Sequence, residues 1–418
     1  MAKLTYQTAI RLYGFLIWVA ALVNQKARLW VAGRKDWHTR LAEQLAGNTA
    51  PVIWLHAASL GEFEQARPVL ETLRQHHPDQ KILVTFFSPS GYEVRKTYTG
   101  ADFVTYLPLD TPANARRFVA LAQPRLVLFV KYEFWANYLL ELKRQNIPAV
   151  LFSAVFRPGQ VFFRWYGGFQ RSLLTCFTHI LVQNEESVLL LRSVGYESVV
   201  LAGDTRFDRV ADTAAHKQNF PIAQDFCADR PTLIAGSVWP DDMAVLIPFL
   251  NEFKNPLRVV IAPHEINAEQ ISRWQEQLSR PSVLYSELIT QQVDNQTNYL
   301  FIDNIGMLAS LYQYGQFAFV GGGFKPGGLH NILEPATFGL PIFFGPEIGK
   351  FPEAGALVAE GGAFLVSADF AADFGKLYHN PHERARAGGI SRNYVQRNIG
   401  ATAAVVKVAH MLLIKRLI

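Results

Sequence analysis

The sequence predicts an α/β protein built of two doubly wound domains. Three observations lead there. A chain of 418 residues is longer than one ordinary core organises. From residue 50 onward, short apolar, β-rich runs alternate with segments of helical period. The alternation then stops at a polar stretch, Asp204 to Arg230, and starts again. Two such sheets joined by a linker imply a cleft between them.

The first series of strands is expected at Val52–Leu55, Ile82–Phe86, Phe103–Tyr106, Leu126–Val130, Ala149–Phe152, His179–Val182 and Val199–Leu201. Most are continuous runs without polar alternation, the pattern of strands buried on both faces of a parallel sheet. Helical sequence lies between them, as at Ala113–Ala122 and Asn137–Gln145. The second series is Thr232–Ala235, Arg258–Ala262, Val283–Tyr285, Leu300–Ile302, Phe317–Val320 and Ile342–Phe344. Helical sequence from Ala401 to Leu417 closes the chain. The domains are therefore drawn as an N-terminal segment 1–40, a first Rossmann-like domain 41–208, a linker 209–225 with a turn at Pro221, a second Rossmann-like domain 226–400, and a C-terminal helix 401–418 that packs back on the first domain.

Half the residues are hydrophobic and 18% are charged. That describes a globular chain with a large core and excludes general disorder. Cys176 and Cys227 form neither a metal-ligand pair nor a disulfide framework. The net charge of +5 is uneven. Residues 1–40 hold seven Lys and Arg against Asp36 alone, so the remainder is nearly neutral. Basicity confined to one end argues against a body that wraps nucleic acid. In that end, Leu12 to Val23 is almost wholly apolar and is followed by Lys26 and Arg28. The run is too short to span a bilayer, which takes about 20 residues. A helix lying in the membrane interface is expected, with Trp18 and Trp30 at headgroup level and the basic residues on anionic lipid. The alternative is a buried N-terminal helix.

The chemistry is expected at strand ends, where open α/β sheets bind ligands. Trp54-Leu55-His56-Ala57-Ala58-Ser59-Leu60-Gly61-Glu62 carries the first strand into a helix. Ser59 fits an N-cap, and Glu62 falls in the first helical turn, where the dipole favours its ionised form. A carboxylate facing a cleft suits a general base; Ser-x-x-Glu is equally a capping box. Glu133 ends the fourth strand and should face the same crevice. Arg157 follows the fifth strand, and Arg206 lies where the halves meet. Either arginine would neutralise a phosphate or carboxylate, or is a surface charge. In the second half, Gly321-Gly322-Gly323-Phe324-Lys325-Pro326-Gly327-Gly328 follows a strand and leads through His330 and Asn331 to Glu334. Its glycines permit close backbone approach, amides near Asn331 offer an anion site, and Glu334 suits ribose hydroxyls. The run is neither a Walker loop nor a G-x-G-x-x-G fingerprint. Gly236-Ser237 is a second candidate anion cradle, and Pro263-His264 ends the next strand at the same edge. No cluster reads as a metal site, and no serine nucleophile elbow occurs.

These stretches, in this order, resemble the 3-deoxy-D-manno-octulosonic acid (Kdo) transferases of lipopolysaccharide synthesis. The resemblance rests on Trp54 to Glu62, on Val84-Thr85-Phe86-Phe87-Ser88-Pro89-Ser90-Gly91, and on Tyr106-Leu107-Pro108-Leu109-Asp110. It continues through Glu133-Phe134-Trp135, Gly203-Asp204-Thr205-Arg206-Phe207-Asp208 and Gly327 to Pro335. It implies a GT-B glycosyltransferase of two Rossmann-like domains around a central cleft, with a membrane-associated N-terminal helix. It implies CMP-Kdo as donor, a lipid A precursor (lipid IVA) as acceptor, no metal and no cofactor, and a place on the cytoplasmic face of the inner membrane. By matched position Glu62 is the base, with Glu133, Arg157 and Arg206 in support. Ser59, Gly61, Gly236, Ser237, Pro263, His264, Gly306, Met307, Leu308, Gly327, Gly328, Asn331 and Glu334 would contact substrate or CMP. The chain departs from the family at His264, where the family often has Arg, at Val155 in place of Arg, and at Arg206 in place of Lys. The alternatives are another GT-B transferase or an epimerase using a UDP-sugar, or a binding protein without turnover.

Overall fold

The computed structural model describes residues 2–290, 294–349, 351–367 and 370–415. The chain divides into two compact units. The first runs to Arg209 and takes the chain back from Ile399; the second is Val210–Asn398. Each is built on a seven-stranded sheet whose pairings are all parallel.

In the first unit the strands are β1 (Val52–Ala57), β2 (Lys81–Phe86), β3 (Phe103–Tyr106), β4 (Pro124–Val130), β5 (Ala149–Ala154), β6 (His179–Val182) and β7 (Val199–Leu201). Their order is β3-β2-β1-β4-β5-β6-β7. The order reverses between β1 and β4, and in such sheets the crevice forms outside the carboxyl ends at that point. Every residue of β1 and β5 is buried, because helices cover both faces. This is why the strands read as unbroken apolar runs.

In the second unit β8 (Thr232–Val238), β9 (Arg258–Pro263), β10 (Ser282–Leu284), β11 (Tyr299–Phe301), β12 (Phe317–Val320), β13 (Ile342–Phe344) and β14 (Ala363–Leu365) take the order β10-β11-β9-β8-β12-β13-β14. The expected linker is helical instead. Helices Thr205–Ala215 and Pro221–Cys227 occupy most of it, and Phe207, Val210, Ala223 and Phe226 are buried. Its polarity belongs to the outer face of these helices.

The closing helix, Ala401–Lys415, belongs to the first unit. Val405, Val406, Ala409, Leu412 and Leu413 join the core beneath β1, β2 and β4. Each larger side chain among them contributes about 1.5–3 kcal/mol by leaving water. Asp208 caps the helix start, accepting from the amides of Gly400 at 2.9 Å and Thr402 at 3.1 Å. Residues 416–418, part of the expected helix, lie outside the described residues.

The N-terminal segment forms three helices, α1 (Ala2–Ala20), α2 (Gln25–Ala32) and α3 (Trp37–Leu45). One expectation needs correcting here. Among the described residues, the helical stretch long and apolar enough to cross a membrane by length and composition is C-terminal, Pro381–Ile414. Lys3, Thr5, Gln7, Thr8 and Arg11 dilute α1. The C-terminal stretch is itself broken at Gly400, where φ is +124°, and its second half is the core helix just described. No residue of α1 is buried. It is tethered by the Tyr6 hydroxyl, which donates to Asp110 Oδ2 at 2.6 Å, and by Tyr13 stacked on Phe87.

Candidate active site

Helix α4 (Leu60–His76) starts three residues beyond β1. Ser59 occupies the N-cap position in extended conformation, but its hydroxyl makes no cap bond. The Ser-x-x-Glu capping box therefore does not form. Glu62 instead reaches back and accepts from the Ala58 amide at 2.7 Å. That one bond fixes the carboxylate at the carboxyl end of β1. Gly61 beside it leaves open space, since an added Cβ would meet nothing within 4 Å. Burial raises the pKa of Glu62 above the ordinary carboxylate value, and the like charge of Glu133 raises it further. The Ala58 amide opposes both.

Glu133 follows β4, across the switch point from Glu62, and is buried. A chain of side chains from the sheet interior supports it. The Trp54 Nε1 proton goes to Thr85 Oγ1 at 2.7 Å. Thr85 Oγ1 lies 2.8 Å from His56 Nδ1, and His56 Nε2 lies 3.0 Å from Glu133 Oε2. Trp135 Nε1 donates to the same oxygen at 2.5 Å. An ionised carboxylate only accepts, so a neutral His56 must carry its proton on Nε2. Its Nδ1 then accepts from Thr85, whose oxygen takes the Trp54 proton. The parallel register pairs His56 with Thr85, so the sheet itself sets this order. His56 and Thr85 are both fully buried.

The predicted arginines stand differently. Arg206 is half-buried and turned onto its neighbour, its Nε donating to Asp204 Oδ2 at 2.7 Å. Arg157 is exposed, and among the described residues its side chain has no hydrogen-bond or ion-pair partner. Nothing in the geometry joins it to the two glutamates. Beside it, Ser153 adopts a left-handed φ of 54° where β5 loses register, and its hydroxyl meets Thr205 Oγ1 at 2.9 Å.

In the second unit the order reverses between β8 and β12. A cavity of about 410 Å³ at the strand ends gathers Pro263, His264, Gly306 and Leu308. Met307 is buried beneath them. Gly236 joins this group for a packing reason. An added Cβ would stand 2.1 Å from the Tyr312 hydroxyl and 2.9 Å from Leu308 Cδ1. Ser237, at φ 53°, forms a bulge in β8. The chain then turns to Trp239, whose ring stacks on His264 at 4.3 Å. His264 stacks in turn on His330 at 4.3 Å, and Trp239 Nε1 donates to His330 Nε2 at 2.9 Å. Burial, then the neighbouring His264, pushes His330 down to about 4. It is a neutral acceptor throughout the physiological range.

Two expectations for the Gly-rich run change. A Cβ on Gly321 would lie 2.3 Å from the Ser237 carbonyl oxygen, and one on Gly322 2.1 Å from that of Gly328. Both glycines admit the chain's own backbone. The helix behind them, Leu333–Thr337, is a single short turn, and Asn331 already satisfies its start, accepting from the Leu333 amide at 3.2 Å. Asn331 also donates to Glu334 at 3.1 Å. One of the amides expected to be free there, that of Leu333, is thus taken by the Asn331 side chain. Gly327 is exposed at φ +71° and Gly328 faces Gly322; neither lines the 410 Å³ cavity. Among the described residues no three His, Cys, Asp or Glu come together to hold a metal.

Three comparisons with known proteins bear on this geometry. The sequence model of the family described as 3-deoxy-D-manno-octulosonic-acid transferase (kdotransferase) matches residues 35–209. A 3-deoxy-D-manno-octulosonic acid transferase of Aquifex aeolicus is 26% identical over 76% of this chain and 82% of its own length. The chain is similar to the Kdo transferases over most of its length. A second, from Bordetella pertussis, is 25% identical over 96% of this chain and 97% of its own. Among solved structures, the UDP-GlcNAc 2-epimerase of Neisseria meningitidis superposes with a TM-score of 0.61 at 18% identity, over 87% of this chain and all of that one. At that identity the likeness is one of fold, a GT-B-like pair of parallel-sheet units.

Of the Kdo transferase stretches seen in the sequence, Trp54–Glu62 and Glu133–Trp135 meet at one switch point, with Thr85 alongside. Asp208 proves structural, as the cap of the closing helix. His56, Thr85, Trp239 and His330 carry the hydrogen-bond frame of the two sites, although sequence reasoning gives them no part. A histidine inside the apolar run Val52–Ala57 is the one signal that points to them.

Proposed function

We propose that the protein transfers Kdo from CMP-Kdo to the glucosamine disaccharide of a lipid A precursor. The observation that carries this is the Glu62 carboxylate, held at the end of β1 by the Ala58 amide. Burial and Glu133 raise its pKa toward the pH at which it must work as a base. In the reaction Glu62 takes the proton of the acceptor hydroxyl as that oxygen attacks the anomeric carbon of Kdo. The bond from that carbon to the CMP phosphate oxygen breaks, and CMP leaves with the electron pair. The sugar centre is inverted. His56 and Trp135 hold Glu133 in place by hydrogen bonds to one carboxylate oxygen. The second unit would carry CMP, with Pro263, His264, Gly306 and Leu308 around it and Gly236, Ser237, Gly327, Gly328, Asn331 and Glu334 as the surrounding shell. Arg157 and Arg206 remain the proposed cations for the donor's phosphate and carboxylate; Arg206 would have to leave Asp204 to serve. The motifs shared with the Kdo transferases support this assignment. The exposed apolar surface of α1 and the basic residues around it support a place at the cytoplasmic face of the inner membrane.

The test is mass spectrometry of a tetraacylated lipid A precursor after incubation with the protein, CMP-Kdo and EDTA. Product heavier by one or more Kdo units is expected, and Glu62→Gln should lower turnover by about 10²–10⁴ while leaving donor binding in place. Product formed only with added magnesium would overturn turnover without metal. Protection against thermal unfolding by UDP rather than CMP would turn the assignment toward UDP-sugar chemistry.

A further inference from the structure

We infer that the groove between α1 and the α2–α3 hairpin binds one acyl chain of an anionic glycerophospholipid, with the phosphate at the groove's basic rim. This goes beyond the function proposed above, which places α1 at the membrane surface without assigning it a ligand. The groove encloses about 520 Å³, within the range of small-molecule sites. Phe15, Trp18 and Trp37 give it apolar aromatic walls, Arg11 and Lys35 stand among them, and no carboxylate lines it.

Two groups in the wall are incompletely compensated, one lacking a counter-charge and the other a hydrogen-bond acceptor. Arg34 is half-buried, and desolvation lowers its pKa to about 9. It donates to the carbonyl oxygens of Leu107, Trp30 and Phe87 at 2.9, 3.1 and 2.7 Å and lies over the Trp30 ring at 3.8 Å. Among the described residues no carboxylate pairs with it, so a half-buried positive charge stands without a counter-charge. The second group is the indole N–H of Trp30, which is buried without an acceptor. An anionic head at the rim offsets the Arg34 charge through its field.

Charge complementarity selects the occupant. A free phosphate would leave the aromatic walls wet. An acidic amphiphile matches walls and rim together, because the chain removes apolar surface from water while the head meets Arg11, Lys35 and the Arg34 field. Phe15 and Trp18 continue from the groove onto the exposed face of α1, at 57% and 56% exposure. This face supplies the route by which a chain enters from the bilayer.

The experiment uses the full chain in detergent micelles doped with phosphatidylglycerol carrying brominated acyl chains. Tryptophan quenching reports binding, and native mass spectrometry reports stoichiometry. Neither donor nor acceptor is present, so failure of the proposed transferase reaction leaves this measurement untouched. We expect saturable quenching with one lipid retained per chain, and about tenfold weaker binding in the Arg11→Gln/Lys35→Gln double variant. Both changes are at the groove's rim rather than in the core, so the fold persists. Gly14→Leu, which crowds Leu109 in the groove wall, should abolish retention. Equal quenching by brominated phosphatidylcholine would overturn the inference, as would full displacement by glycerol phosphate, which lacks a chain. Unsaturable quenching insensitive to the double variant would mean general partitioning and would also overturn it. So would one-for-one displacement by the lipid A precursor, which would make the groove an acceptor site.

Discussion

Replacing Thr85 by Val removes one hydroxyl and keeps the side chain's shape. Two buried groups lose their partner together. The Trp54 indole N–H, which donates to Thr85 Oγ1 at 2.7 Å, has no other acceptor among the described residues. His56 Nδ1, 2.8 Å from the same oxygen, then faces a methyl group. A buried polar group left unsatisfied costs about 1–3 kcal/mol, so the pair predicts a loss of about 2–6 kcal/mol. That is a large part of the roughly 5–15 kcal/mol that holds a typical protein folded. Thr85→Ser keeps the hydroxyl and should lose under about 1.5 kcal/mol. Because two units need not unfold together, native-state hydrogen exchange of the β1 and β2 amides is the assay, reading local opening free energies. The nitrogen chemical shifts of His56 add a second reading: all three proteins should keep the Nε2–H tautomer that Glu133 sets, and in the Val variant alone the Nδ1 shift should move as that nitrogen loses its hydrogen bond. A Val variant within about 0.5 kcal/mol of wild type would refute the relay from Trp54 to Glu133, because the hydroxyl would then be idle.

Other consequences come from the same contacts. Glu133→Gln removes the like charge that helps raise Glu62; since Glu62 must be ionised to act, the acid limb of the pH–rate profile should move to lower pH, and a limb that stays or moves up contradicts the electrostatic coupling. Glu64 is held below the ordinary carboxylate range by Arg209 and Arg95, which outweigh its burial. Its stabilising contribution is therefore present above the unfolded-state pKa and lost as pH falls through the folded one. Glu64→Gln should flatten the acid side of the stability–pH curve of the first unit, measured by thermal unfolding across the acid range. Tyr6→Phe deletes the charge-assisted bond to Asp110 and should loosen α1 by about 1.5–3 kcal/mol, seen as faster proteolysis within residues 2–20. Gly321→Ala forces a Cβ against the Ser237 carbonyl and should cost about 1–3 kcal/mol, read by thermal unfolding of the second unit.

The sheets were legible because burial on both faces writes itself into sequence as unbroken runs of Val, Ile, Leu and Phe. β14 escaped that signal: it has three residues, Ala363–Leu365, directly after Gly361-Gly362. The helices Thr205–Ala215 and Pro221–Cys227 escaped because their outer faces are polar, and a run judged by composition alone reads as linker. At the site, Glu62 and Glu133 could be placed from sequence since each comes after a strand at the point where strand order reverses. Their supports could not. His56 and Thr85 are twenty-nine positions apart, and only the β1–β2 register puts them side by side. Trp239 and His264 likewise follow two separate strands, and His330 comes from the far side of the Gly-rich run after a third.

Backbone conformation was the least legible feature, and it bears most directly on the chemistry. Lys131, Ser153 and Ser237 hold left-handed φ angles of 62°, 54° and 53° at the carboxyl ends of β4, β5 and β8. Lys and Ser gain nothing from that region, unlike Gly, and such residues cost about 1–3 kcal/mol each. At Ser153 and Ser237 the strand also loses register, as a bulge does when it re-aims the residues beyond it. Those residues are Ala154 to Arg157 in one unit and the turn to Trp239 in the other. Lys131 stands two residues before Glu133, and its charge opposes the rise in the Glu62 pKa. Strain of this kind persists only where surrounding contacts over-determine it, as the Ser153–Thr205 bond and the Trp239–His264–His330 stack do here. Both sheets thus depart from regular strand geometry at the ends that carry the proposed base and the proposed nucleotide site, and those departures set where Glu133 and Trp239 stand.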